Sequence, residues 1–146
     1  MKTDETTTIR EENRKGNREQ RREVTAAAAR EEVRRALDER FRRERTTMNE
    51  DLVLADALLV ATELVTNAVR HGGGVRAFRL SLADEGLWIA VTDRNRAWPT
   101  EAGADSGARI PRPGRLGLVL VRRLSQEVTI TPAPGGKTIH ALVPLR

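Results

Sequence analysis

The chain has 146 residues, 38% hydrophobic and 32% charged, with a formal charge of +5. That length suits one domain with room for a tail, and the composition suits a soluble domain whose core occupies part of the chain. There is no Cys, which excludes a disulfide framework and a thiolate metal site.

Aromatics are few: Trp88, Trp98, Phe41 and Phe78, with no Tyr, so the core must be aliphatic. No unbroken apolar run approaches the roughly 20 residues of a membrane helix. Residues 1–22 are charged throughout and lack the apolar segment of a secretion signal. The expectation is a cytoplasmic protein with no membrane partner. The basic residues are nearly all Arg, but residues 1–45 hold 14 basic and 11 acidic side chains. Such mixed charge forms a solvated face or a disordered arm rather than a nucleic-acid footprint.

Residues 1–22 are polar and without period, which reads as a disordered charged arm, followed by a domain over 23–146. From about Thr25, Ala29, Val33, Leu37 and Phe41 recur four apart and predict a helix with one apolar stripe. Asn49 is a good N-cap for a second helix, with Glu50 and Asp51 in its first turn and Gly72-Gly73-Gly74 stopping it. Two strands follow, 75–82 and 87–93, joined by a turn at 83–86.

Residues 94–114 contain three Pro, three Gly and no period, which reads as a long functional or disordered loop. A third helix is predicted over 116–126, with Leu116, Leu120 and Leu124 on one stripe. Strands at 128–131 and 138–143 close the chain as a second hairpin. Hairpins interleaved with helices predict an α/β two-layer sandwich, a mixed but mainly antiparallel sheet covered on one face by helices.

The second helix carries Glu63 and Asn67 four apart among apolar neighbours. The bland reading is that both point to solvent. A carboxylate and an amide on an apolar helix otherwise need a partner. Asp93 ends its strand in phase with Leu87, Ile89 and Val91, so it points into the same apolar layer and forms a candidate pocket wall. Gly114-Arg115-Leu116-Gly117 opens the third helix, and a helix start of this kind offers free N–H groups that suit phosphate. The plainer alternatives are a strand-end Asp capping a turn and glycines serving only a turn.

In order, these pieces resemble the histidine-kinase-like ATPase superfamily, and within it the bacterial anti-sigma-factor serine/threonine kinases and their actinobacterial relatives. Glu63-Leu64-Val65-Thr66-Asn67-Ala68-Val69-Arg70-His71-Gly72 resembles that branch's asparagine box nearly letter for letter. Val91-Thr92-Asp93, Gly117-Leu118-Val119-Leu120-Val121 and Pro134-Gly135-Gly136-Lys137-Thr138 resemble its two nucleotide boxes and its closing turn and strand. Two departures stand out. Asn95 and Ala97 occupy glycine positions of the first box, and Arg115 occupies the leading glycine of the second, with Gly114 displaced by one.

The resemblance implies ATP and Mg²⁺ as cofactors. It implies Asn67 as the Mg²⁺ ligand, Glu63 as general base, and Asp93 as acceptor of the adenine amino group. Gly114 and Gly117 would lie beside the phosphates, and Thr138 near the adenine edge. It also implies a sigma factor and/or an anti-sigma antagonist protein as partner, with a homodimer among the arrangements it allows.

Three other motifs are set aside. Gly135-Gly136-Lys137-Thr138 ends like a phosphate-binding loop, but Thr131 stands where the leading Gly is required and a strand follows. His71 and His140 have no metal-ligand spacing. No serine sits in a nucleophile elbow.

Two functions from different classes remain. One is an ATP-dependent kinase of an anti-sigma antagonist, which intact Glu63 and Asn67 favour. The other is a non-catalytic interaction module that sequesters a sigma factor or antagonist, which the missing glycines favour. Direct nucleic-acid binding ranks last, since no aromatic stacking platform is present. Because residues 1–22 have no apolar stripe to bury, a truncation starting at Val24 is expected to keep the parent melting temperature within a few degrees. Differential scanning fluorimetry checks this, and a large drop would show that the arm packs on the domain.

Overall fold

Ala29, Val33 and Leu37 are fully buried on one stripe of α1, Ala26–Arg43. Thr25 caps this helix by accepting from the Ala28 N–H at 3.1 Å, and Arg40, Arg42 and Arg43 in the last turn complement its dipole. In the computed structural model the described residues are 24–44, 49–96 and 113–145. The expected arm at 1–22 and most of the expected loop at 94–114 lie outside them.

The second helix, α2, spans Glu50–His71, and Asn49 caps it through the Leu52 N–H at 3.1 Å. Its length of 22 residues and a mean hydropathy of 1.7 over an 18-residue window are enough, by length and composition, to cross a membrane. A criterion based on unbroken apolar runs misses this because polar residues are interspersed. Val53, Ala57, Val60, Ala61, Leu64, Val65 and Ala68 of α2 form the middle of the core.

The strands are β1 (Val75–Leu82), β2 (Gly86–Asp93), β3 (Glu127–Ala133) and β4 (Gly136–Pro144), with α3 (Pro113–Leu124) before β3. They form one sheet in the order β1-β2-β4-β3. Every pairing among them is antiparallel, so the sandwich is as expected while the described sheet has no parallel pair. Two hairpins placed side by side, with β2 against β4, produce this arrangement without a crossover between parallel strands. The helix α3 starts at Pro113, three residues before the expected Leu116. Proline suits the first helical position, because its fixed φ is helical and its missing N–H would have had no partner there.

Strand alternation sorts the sheet into two faces. Phe78, Leu80, Leu87, Ile89, Val91, Ile139, Ala141 and Val143 belong to the core shared with the helices. Trp88, Ala90, Thr92, Thr138, His140 and Leu142 alternate with them and take the opposite face. There Arg79, Ala90 and His140 align across three strands, and Thr131 Oγ1 lies 3.2 Å from His140 Nε2.

Burial, and then the positive charge of Arg79, holds the His140 pKa below its ordinary 6.5. The neutral imidazole is therefore the form that the fold favours. A group whose folded pKa is depressed contributes stability above the unfolded value, and that contribution is lost as pH falls through the folded one. The melting temperature is accordingly expected to fall on acidification below about pH 6.5, and His140→Gln is expected to flatten that slope. Thermal melts of both proteins across the range check this, with equal slopes as the contrary result.

Candidate functional site

Glu63 and Asn67 sit one turn apart on α2. Leu58 and Thr62 face α1 across a groove lined also by Ala27, Arg30 and Arg34. Helical spacing puts Glu63 and Asn67 on the other edge of the buried stripe, toward α3. Both are half-buried. The Asn67 Nδ2 is buried and has no hydrogen-bond partner among the described residues, a condition that costs about 1–3 kcal/mol if nothing fills it. Glu63 has no ion-pair partner among the described residues.

The end of α2 is tied to the end of β2. Gly73 adopts a left-handed φ of 71°, and the Gly74 N–H folds back onto the Ala68 carbonyl at 2.9 Å. The Gly72 carbonyl accepts from the Arg94 N–H at 2.7 Å, and the His71 carbonyl accepts from Asn95 Nδ2 at 2.7 Å. Gly72 lies against Asp93 so closely that a Cβ there would come within 2.6 Å of the Asp93 side chain. On the other side, a Cβ at Gly136 would lie 1.9 Å from the Asp93 carbonyl oxygen.

Between these two glycines, Asp93 is only 5% exposed. Its Oδ1 accepts from the Asn95 N–H at 2.9 Å, and its Oδ2 pairs with Lys137 Nζ at 2.7 Å. Lys137 also donates to the Asn95 carbonyl at 3.1 Å.

The structure thus places Asp93 at the inner edge of the sheet, as its phase predicts, beside the helix that carries Glu63 and Asn67. No hydrogen bond joins Asp93 to either of them among the described residues. Thr138 is elsewhere. It pairs with Thr92 in the β2–β4 register, and the two hydroxyls are 2.7 Å apart on the face away from the helices. The residue of β4 that reaches Asp93 is Lys137, one position earlier, because side chains alternate between faces.

Gly114 is the second residue of α3, where the backbone N–H has no intrahelical partner. Gly117 lies a turn further in, where the N–H belongs to the helical ladder. Of the two glycines, Gly114 is therefore the one whose N–H is free at this helix start.

Sequence reasoning missed Gly72, Asn95, Gly136 and Lys137. Counting back by twos from the core residues Ala141 and Ile139 would have pointed Lys137 inward beside Asp93.

The residues fit a nucleotide–metal group to this extent. Among the described residues no cluster of three His, Asp or Glu could hold a metal alone. Mg²⁺ commonly takes one protein oxygen and completes its shell with phosphate oxygens and water. The Asn67 side chain carries an amide oxygen suited to that role, while its unpaired Nδ2 is a donor that would meet a phosphate oxygen or water and not the ion.

Gly72→Ala provides a test of the packing on Asp93. Gly72 is the C-cap, with a φ of −105° that alanine can adopt, but the contact with Asp93 forces a shift that typically costs about 1–3 kcal/mol. The variant is expected to be net destabilised in urea unfolding, and unchanged or higher stability would show that the junction yields without cost.

Residues 17–142 match the histidine kinase-like ATPase domain family. No curated protein matches the sequence. A solved structure that matches is the histidine kinase domain from the Erythrobacter litoralis EL346 blue-light activated histidine kinase. It is 26% identical, the match covers 64% of this chain and 48% of that one, and the TM-score is 0.44. The chain thus spans about half the length of that domain. The family match covers most of the sequence and implies ATP as ligand: this chain belongs to the histidine kinase-like ATPase domain family.

Proposed function

We propose that the chain is an ATP-binding anti-sigma regulator that transfers the γ-phosphoryl group of ATP to a Ser or Thr of an antagonist protein, and so controls the availability of a sigma factor. The observation that carries this reading is the Asn67 Nδ2 donor, buried without an acceptor among the described residues, one turn after a Glu63 that has no ion-pair partner among them. An unsatisfied amide at the edge of a core is costly, and in an ATP-binding family a nucleotide complex is the natural occupant.

In this reading Mg²⁺, held by the Asn67 amide oxygen, neutralises charge on the phosphates when bound. Glu63 accepts the proton of the attacking hydroxyl as the oxygen forms its bond to phosphorus and ADP leaves. Asp93 accepts from the adenine amino group. The N–H of Gly114 faces the phosphates at the start of α3.

A second reading has support of its own. The Asp93 carboxylate is already paired with Lys137, and Asn95 stands where the family has a glycine. Both features suit a non-catalytic module that keeps the fold and binds a sigma factor or antagonist. Neither reading calls on the membrane or on nucleic acid.

Titration calorimetry with ATP, with and without Mg²⁺, separates the two. Binding that depends on Mg²⁺ supports the first, and no binding at millimolar ATP supports the second. Glu63→Gln is expected to lower phosphotransfer to the antagonist by about 10²–10⁴-fold while leaving ATP affinity nearly unchanged. If affinity falls as far as the rate does, Glu63 is a binding residue and not the base.

A further inference from the structure

Among the described residues, Asp93 and Lys137 are the only charged side chains that are buried. A buried ion pair is a poor device for stability, since apolar side chains of similar volume often serve as well or better. The pair is also incompletely satisfied. An ammonium has three donors. Lys137 uses one toward Asp93 Oδ2 at 2.7 Å and one toward the Asn95 carbonyl at 3.1 Å. The third has no acceptor among the described residues. Asp93 in turn keeps free lone pairs, because Oδ1 takes only the Asn95 N–H.

An open donor and an open acceptor therefore stand side by side. Lys137 also borders a cavity of about 280 Å³ with Arg96 and residues 132–136, and Asp93 lies behind Lys137, outside the lining of that cavity. The complementary ligand is a flat edge with a donor next to an acceptor. A 6-aminopurine has that edge, since its exocyclic amino group donates and a flanking ring nitrogen accepts.

We propose that Lys137 is a base-reading residue, donating a charge-assisted hydrogen bond to a ring nitrogen of adenine while Asp93 accepts from the neighbouring amino group. This rests on the reading of Asp93 as the wall of an ATP site. It gives the buried pair a role that stability does not supply, and it makes recognition of the base a two-point contact. Lys137 acts on binding and touches no reacting atom.

The test begins with the ligand. Calorimetry of the full wild-type chain is run with ATP, 1-deaza-ATP and 7-deaza-ATP, each analogue lacking one ring nitrogen beside the amino group. One of the two analogues is expected to bind on the order of tenfold or more weakly than ATP, as loss of a charge-assisted bond requires. The other should bind as ATP does.

The same series is then run on Asp93→Asn combined with Lys137→Met, which removes both charges together and leaves no buried ion unpaired. That variant is expected to bind ATP and the discriminating analogue within about twofold of each other, the residue left when a charge-assisted bond is removed from the comparison. Two results overturn the proposal while leaving the ATP site standing: both analogues bind wild type as ATP does, or the double variant discriminates as strongly as wild type. If wild type binds no ATP at all, the ATP-site reading fails, and the role of Lys137 fails with it.

Discussion

The Asp93 carboxylate is where the two layers of this protein meet. It ends β2, lies under the C-terminus of α2 and faces the start of β4. A carboxylate removed from water costs several kcal/mol unless it is paired and hydrogen-bonded, so everything around it is arranged to meet that demand. Lys137 supplies the charge, Asn95 supplies an N–H, and Gly72 and Gly136 supply the close backbone approach. Losing Lys137 alone would leave the charge uncompensated, a change that typically costs roughly 3–5 kcal/mol. The end of the sheet, the end of α2 and the orientation of the Asn67 turn are therefore mechanically linked through one side chain.

That linkage explains the division of labour along α2. Its buried stripe, from Val53 to Ala68, is wholly aliphatic and anchors the helix on the sheet. The half-buried Thr62, Glu63, Thr66 and Asn67 flank the stripe in the half of the helix that ends at Asp93. A helix anchored this firmly can hold an unsatisfied amide at Asn67, because the penalty of about 1–3 kcal/mol is small beside the burial of seven apolar residues of α2. In a domain with a weaker anchor, the helix would turn or fray to hydrate that amide. The core thus makes an unpaired polar group tolerable.

How much of this was legible in the sequence depended on the range of the interaction. The stripe Ala29, Val33, Leu37 and the caps Thr25 and Asn49 are local signals, and the helices formed where they pointed. The inward phase of Asp93 followed from counting along β2 alone. The start of α3 at Pro113 was misplaced because its apolar stripe begins later than its backbone does. The partner of Asp93 was a harder problem, since choosing between Lys137 and Thr138 requires the face of a strand 44 positions away. A one-residue difference in β4 moves a side chain to the other side of the sheet. Family resemblance alone pointed to Thr138, while the register puts that hydroxyl against Thr92 and sends Lys137 inward.

The departure at Asn95 takes on a different meaning in this setting. A glycine after the strand-end aspartate lets the backbone come close to a nucleotide, and its absence could be taken for decay of the site. Asn95 instead makes at least three bonds. Its N–H meets Asp93, its side-chain amide meets the His71 carbonyl, and its own carbonyl accepts from Lys137. A glycine could keep the two backbone contacts but not the bond to His71, the one that clasps the end of α2. The substitution therefore exchanges backbone freedom for rigidity at the junction, and it appears together with a lysine that uses the same carbonyl. Asn95 and Lys137 form one unit around Asp93, in which hydrogen bonds hold a junction that a glycine would leave freer.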